Sequence, residues 1–183
     1  TRRAYDVVHY RLQLRFDEEE KRVLGTAVIT LTPSGEPIDS LVLDAVAMTI
    51  DSVSSPRHQT LPWRSTDSTL TISLPAELVQ RETTSVSITY SCTPHQGVYF
   101  IRPDSSDLTR RWQIWTQGEE TENRHWFPCY DAPDDKATSE VIATVRENYT
   151  LLSNGALVET THDTVQHTRT FHWRPERDRK SVV

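Results

Sequence analysis

The residues best placed to do chemistry in this sequence are Gln117 and Glu119, separated by Gly118, in a run from Trp112 to Thr138 that crowds Glu119, Glu120 and Glu122 together and turns at Pro128 and Pro133. Trp112, Ile114 and Thr116 alternate with Gln113, Trp115 and Gln117, which is the period of a strand, and Gly118 ends it. Polar groups carried on a loop at the end of a strand are well presented to a ligand, because the sheet holds rigid what the loop displays. An acidic surface loop accounts for the same residues, and both readings stand at this point.

Other chemistries fail on spacing. A catalytic zinc helix needs His-Glu-x-x-His, so that two imidazoles one turn apart face one ion, and none of the seven histidines is followed by Glu. His162, His167 and His172 recur every five residues in loop and strand, where an odd separation turns neighbours to opposite faces. No serine sits in Gly-x-Ser-x-Gly, and Cys129, between Pro128 and Tyr130, has no helix N-terminus beside it to lower its pKa. Glu119 with Glu120 and Asp134 with Asp135 are adjacent on extended chain, so each pair points apart. Five scattered glycines make no phosphate loop. Asn148-Tyr149-Thr150 matches a glycosylation sequon, a short pattern that arises by chance. Trp112, Trp115 and Trp126 with Tyr130 offer faces for stacking a sugar ring or a peptide side chain, although large aromatics on strands more often fill a core.

The elements that must position these residues are strands. Tyr10, Leu12, Leu14 and Phe16 share one face, with His9, Arg11, Gln13 and Arg15 on the other. After a charged turn, Val23, Ala27, Ile29 and Leu31 point inward from a second strand, making a hairpin. The same pattern recurs at 38–44, 48–53, 61–64, 70–74, 86–92, 97–101, 139–146, 156–159 and 165–173, with a tight turn at Ser153-Asn154-Gly155. Short strands with turns at this spacing predict an all-β sandwich or open barrel of antiparallel sheet with almost no helix, Pro75 to Gln80 forming one turn at most.

At 183 residues the chain is expected to be one domain, which buries roughly 70% of its unfolded surface and needs no staples. Its two cysteines, Cys92 and Cys129, read as two thiols rather than a disulfide framework. A net charge of -6 argues against a nucleic-acid partner, and no apolar run reaches the roughly 20 residues a membrane span requires. The segment from Arg174 to Val183 is basic and lacks a sheet pattern.

Gln117-Gly-Glu119, followed by Arg124-His-Trp-Phe-Pro128-Cys129-Tyr-Asp131-Ala-Pro133 and Lys136-Ala-Thr138, resembles the amino-terminal domain of the aminopeptidase N family, zinc exopeptidases that include leukotriene hydrolase. The likeness runs over about residues 5 to 173, through Tyr5 to Leu14, Gly25 to Ile29, Gly97 to Phe100 and Ser153-Asn154-Gly155. It implies a saddle-shaped all-β unit, single over residues 1–183 with an atypical tail from 174, that caps the active-site cleft of a larger enzyme. It also implies that Gln117 lines the pocket for the first side chain, that Glu119 helps hold the free α-ammonium of a peptide, and that Phe127, Pro128, Asp131 and Pro133 brace the loop. Leukotriene-hydrolase-like members carry Gln at the place of Glu119, which leans this sequence towards aminopeptidase work. Glu120 stands where many members have a small residue, and its role is open. The family's Gly-Ala-Met-Glu-Asn strand, zinc helix, distant Glu ligand and catalytic Tyr are absent. The resemblance therefore implies a chain cut from a longer protein, inactive alone and without cofactor, whose zinc sits in a missing catalytic domain that it contacts. A catalytically dead scaffold of the same fold and a carbohydrate-binding sandwich are the alternatives.

Overall fold

Alternation in the sequence becomes burial of one face, strand by strand. In the computed structural model, which describes residues 4–57, 59–79, 82–103, 111–132 and 136–175, β1 (Tyr5–Asp17) buries Tyr10, Leu12 and Leu14 and leaves Phe16 half-buried. β2 (Arg22–Pro33) buries Val23, Ala27, Ile29 and Leu31. Asp17 closes this hairpin, its Oδ1 accepting the N–H groups of Glu19 and Glu20 at 3.1 Å each. The remaining strands are β3 (Ile38–Asp44), β4 (Met48–Ser54), β5 (Trp63–Ser65), β6 (Thr69–Leu78), β7 (Thr84–Cys92), β8 (Val98–Ile101), β9 (Gln113–Thr116), β10 (Thr138–Arg146), β11 (Ala156–Asp163) and β12 (Thr168–Arg174).

They form a seven-stranded sheet in the order β11-β12-β10-β1-β2-β7-β4, a three-stranded sheet β3-β6-β5 and the hairpin β8-β9. The two larger sheets feed one continuous core: Val23, Ile29, Leu31, Val86 and Ile88 come from the first, Leu41, Leu43, Leu70 and Ile72 from the second. This is the all-β arrangement expected, with one departure. β10 runs parallel to β1, pairing His9 with Thr138 through Arg15 with Thr144. A parallel pair cannot be joined by a hairpin and needs a long crossover, so alternation within either strand carries no sign of it.

One local expectation is corrected, at Trp112, and the segment from Pro75 to Gln80, allowed one helical turn at most, forms none over its described residues. Pro75 to Leu78 form no helical turn; they prolong β6, where Leu78 pairs with Ile38 beyond an irregularity in the ladder, and pairing across the sheet overrides the local turn signal. Trp112 falls before β9, with the Arg102 guanidinium 5.2 Å above its ring, rather than opening the strand. The one helical element among the described residues is a 3₁₀ turn at Asn123–His125. Arg174 ends β12, and the tail from residue 176 lies outside the described residues.

β1, β10 and β12 are also tied together by charge. The Glu140 carboxylate, on the face of the sheet away from the core, is only 7% exposed. It meets His9 Nε2 at 3.4 Å, Arg11 Nε at 3.5 Å and Arg174 Nη2 at 3.4 Å, and is hydrogen-bonded to His172. Burial pushes its pKa up, but the hydrogen bond with His172 and the charge of Arg174 outweigh that and hold it below the ordinary carboxylate range.

Candidate functional site

The β8-β9 hairpin sets where the acidic loop begins. Its ladder runs from Ile101 opposite Gln113 to Val98 opposite Thr116, and Gln117 extends it by one bond, donating its N–H to the Gly97 carbonyl at 3.0 Å. Gly97 also donates its own N–H to Glu122 Oε2 at 3.2 Å, and Tyr99 donates its hydroxyl to the same oxygen at 3.2 Å. The two ends of the Gln117–Glu122 loop are thus fastened to a single residue. Only glycine serves there: φ is +81°, and a Cβ would lie 2.5 Å from the Glu122 carbonyl oxygen and 2.6 Å from the Trp126 ring. Within the loop, Gly118 lets the Asn123 amide approach to where a Cβ would be 2.7 Å from Oδ1. Glu119 and Glu120 occupy the turn and are exposed.

Behind the loop the chain is anchored to the core. Trp126, Phe127, Pro128 and Cys129 are buried in succession. The Phe127 ring meets Trp126 edge-on at 4.5 Å and Tyr10 at 5.6 Å, both favourable arrangements of ring quadrupoles. Cys129 and Asp44 exchange both backbone hydrogen bonds, at 2.8 and 3.0 Å, which pins this segment to the end of β3. Arg124 gathers the rest. Its N–H and Nε donate to Asp131 Oδ2 at 3.1 and 3.0 Å, its Nη2 to the Asp131 carbonyl at 3.0 Å, and its Nη1 lies 3.5 Å from Asp44 Oδ1. Asp44 Oδ2 in turn accepts the Asp131 N–H at 3.1 Å. Burial disfavours the charged guanidinium, but the hydrogen bond to Asp131 and the charges of Asp44 and Asp131 prevail and raise its pKa.

An open cleft of about 510 Å³ lies against this loop, lined by Gln96, Glu119, Glu120, Thr121, Glu122, Arg124 and His125. Three carboxylates against one guanidinium and one imidazole suit a cationic group rather than an anion. Of the residues singled out from the sequence, Glu119 and Glu120 line this cleft; Gln117 is exposed at the end of the β9 ladder and does not line it. Phe127, Pro128 and Asp131 are buried behind it, and Pro133 lies outside the described residues, as do Asp134 and Asp135. Sequence reasoning did not single out Gln96 or Asp44, met Glu122 only as part of the acidic run, and met Arg124 and His125 only within the motif that carries the resemblance. The opposite charges of Arg124 and Asp131, flanking an apolar run, are the one signal that marks part of this set.

The aromatic platform imagined from the sequence is not assembled. Trp126 is 8% exposed and belongs to the core, whereas Trp115 is 43% exposed and stacks on Tyr99 at 4.4 Å. Cys92 and Cys129 are buried thiols without a disulfide. Burial drives the Cys92 thiol up to about 12, against a smaller downward pull from Arg22, which leaves it unreactive at neutral pH. Among the described residues, no three His, Cys, Asp or Glu side chains are placed to hold a metal ion. No helix among them is long and apolar enough to cross a membrane.

Comparison with known proteins places this geometry in context. A family model described as the peptidase M1 N-terminal domain matches residues 7–179. Human aminopeptidase B is 25% identical over 180 residues, covering 86% of this chain and 28% of that protein. Chicken transcription initiation factor TFIID subunit 2 is 31% identical over 111 residues, covering 57% of this chain and 10% of that protein. A crystal structure of an M1 zinc metallopeptidase from Deinococcus radiodurans bound to a Tyr-Ser-Ala substrate matches with a TM-score of 0.78 at 25% identity, covering 94% of this chain and 39% of that one. The chain thus spans well under half the length of each of these proteins.

Proposed function

This chain belongs to the peptidase M1 N-terminal domain family, and from that premise we propose that it is the amino-terminal domain of a zinc aminopeptidase, where it caps the catalytic cleft and anchors the free amino terminus of a peptide substrate. Glu119 receives the α-ammonium, and Gln117, at the end of β9, lines the pocket for the first side chain. Phe127, Pro128 and Asp131 brace the loop from behind. The observation that carries this reading is the exposed Glu119 carboxylate on a loop fastened at both ends, facing an acidic cleft. A carboxylate held at a fixed distance from the reacting centre selects substrates with a charged terminus and sets how many residues fit between that terminus and the scissile bond. Among the described residues no cluster is placed to hold a zinc ion, and the reading assigns the metal, which would polarise the carbonyl and activate water, to the rest of the parent enzyme. No step of hydrolysis is assigned to these strands.

A second reading draws on the likeness to TFIID subunit 2: the domain serves as a protein-assembly platform in a parent without peptidase activity. The full-length protein decides between them. A parent that carries His-Glu-x-x-His and releases amine from aminoacyl anilides, with the activity abolished by a chelator and restored by zinc, supports the enzyme. A parent that lacks the motif and hydrolyses nothing leaves the scaffold.

A further inference from the structure

We propose that Glu122 is a positioning residue for the amine site: its carboxylate, clamped on Gly97 and Tyr99, fixes the loop that carries Glu119 and thereby sets how well the site discriminates a free amino terminus. This inference rests on the role proposed for Glu119.

Glu122 and Gln117 bracket a short loop, and both are tied to Gly97. The Gly97 carbonyl accepts from Gln117 N–H at 3.0 Å, while its N–H donates to Glu122 Oε2 at 3.2 Å. The same oxygen accepts the Tyr99 hydroxyl at 3.2 Å, and the Tyr99 ring stacks on Trp115, two residues before Gln117 in β9. The carboxylate is therefore held from the β8 side of the hairpin, by Gly97 and Tyr99, and β9 is coupled to it through the stack of Trp115 on Tyr99. The Glu122 backbone is gripped as well, its carbonyl accepting His125 N–H at 3.2 Å and packing where a Gly97 Cβ would stand. A side chain that accepts two hydrogen bonds on one oxygen is engaged in holding the fold of the loop, and the exposed Glu119 and Glu120 are left to face the cleft. Misplacing a binding group by about 1 Å can cost about a hundredfold in rate, so the clamp has leverage far beyond its own stability.

The test is a double-mutant cycle in the full-length protein, measuring kcat/KM on an aminoacyl anilide and the ratio of inhibition constants for L-tryptophan and indole-3-propionate, its counterpart lacking the amine. Glu122→Ala should lower kcat/KM by about tenfold or more, the scale of lost hydrogen bonds to a charged group, and shrink the preference for the amine-bearing inhibitor. In a Glu119→Ala background the same change should cost less than about twofold, because residues acting through one contact are not additive. Glu122→Gln keeps the accepting oxygen and should recover activity to within about threefold of wild type. Equal cost of Glu122→Ala in both backgrounds would show that Glu122 acts on its own and overturn the proposal. So would a Glu122→Gln loss matching that of Glu122→Ala, which would mark the charge itself as the contact. If Glu119→Ala is costly and Glu122→Ala is silent, only the positioning role falls. If Glu119→Ala is itself silent, the amine-site reading falls with it.

Discussion

At the scale of single residues, the site owes its shape to a few polar side chains that are buried and fully engaged. Asp131 is the clearest, its side chain 4% exposed and its carboxylate shared by the backbone and side chain of Arg124. Replacing it with Asn keeps the shape and removes the charge that compensates the guanidinium. Asp131→Asn should cost about 1.5–3 kcal/mol, which for a chain of this size lowers the melting temperature by about 2–4 °C per kcal/mol. Asp44→Asn, whose contact with Arg124 is longer at 3.5 Å and more exposed, should cost less. Thermal melts of the two variants check the order, and an Asp131→Asn protein that melts with the wild type would remove Asp131 from the brace. This scale is also where the sequence was least legible. Gln117 and Glu119 announce themselves by following a strand and flanking a glycine, but nothing local to Asp44 points to a segment more than eighty residues away, and Glu122 looks like one more charge in an acidic run.

At the scale of elements, the strands were legible because burial of one face imposes a period of two, and the inward sets of β1 and β2 are those that alternation selects. Which strands become neighbours was not legible. The parallel pairing of β10 with β1 depends on a long crossover, and the final residues of β6 are held extended by β3 against their own turn propensity. Glu140 shows what this pairing costs and gains, since it brings a carboxylate on β10 under cations from β1 and β12. Its pKa is lowered in the folded chain, so the unfolded state binds the proton more readily. The stability it contributes is present above the unfolded carboxylate value of about 4.3 and is lost as pH falls through the folded one. Denaturation by urea at a series of pH values should show this loss below about pH 4.3, and Glu140→Gln should flatten that part of the profile while lowering stability at pH 7 by about 1.5–3 kcal/mol. An unchanged acid limb in the Gln variant would mean that Glu140 does not govern it.

At the scale of the whole molecule, two sheets around one core hold the β8-β9 hairpin and its loop in a form that presents carboxylates outward while the Trp126 to Cys129 run is sunk behind them. On the proposed reading, that division lets a chain of the peptidase M1 N-terminal domain family, spanning 39% of a substrate-bound relative of known structure, supply the amine-binding half of a site. The central claim is that Glu119 is the half that meets substrate. Its most direct test is kcat/KM of the full-length protein and its Glu119→Ala variant on an aminoacyl anilide. Loss of a desolvated charge pair, about 2–5 kcal/mol, predicts a fall of roughly thirty- to several-thousand-fold. Wild-type kcat/KM in the variant would contradict the account.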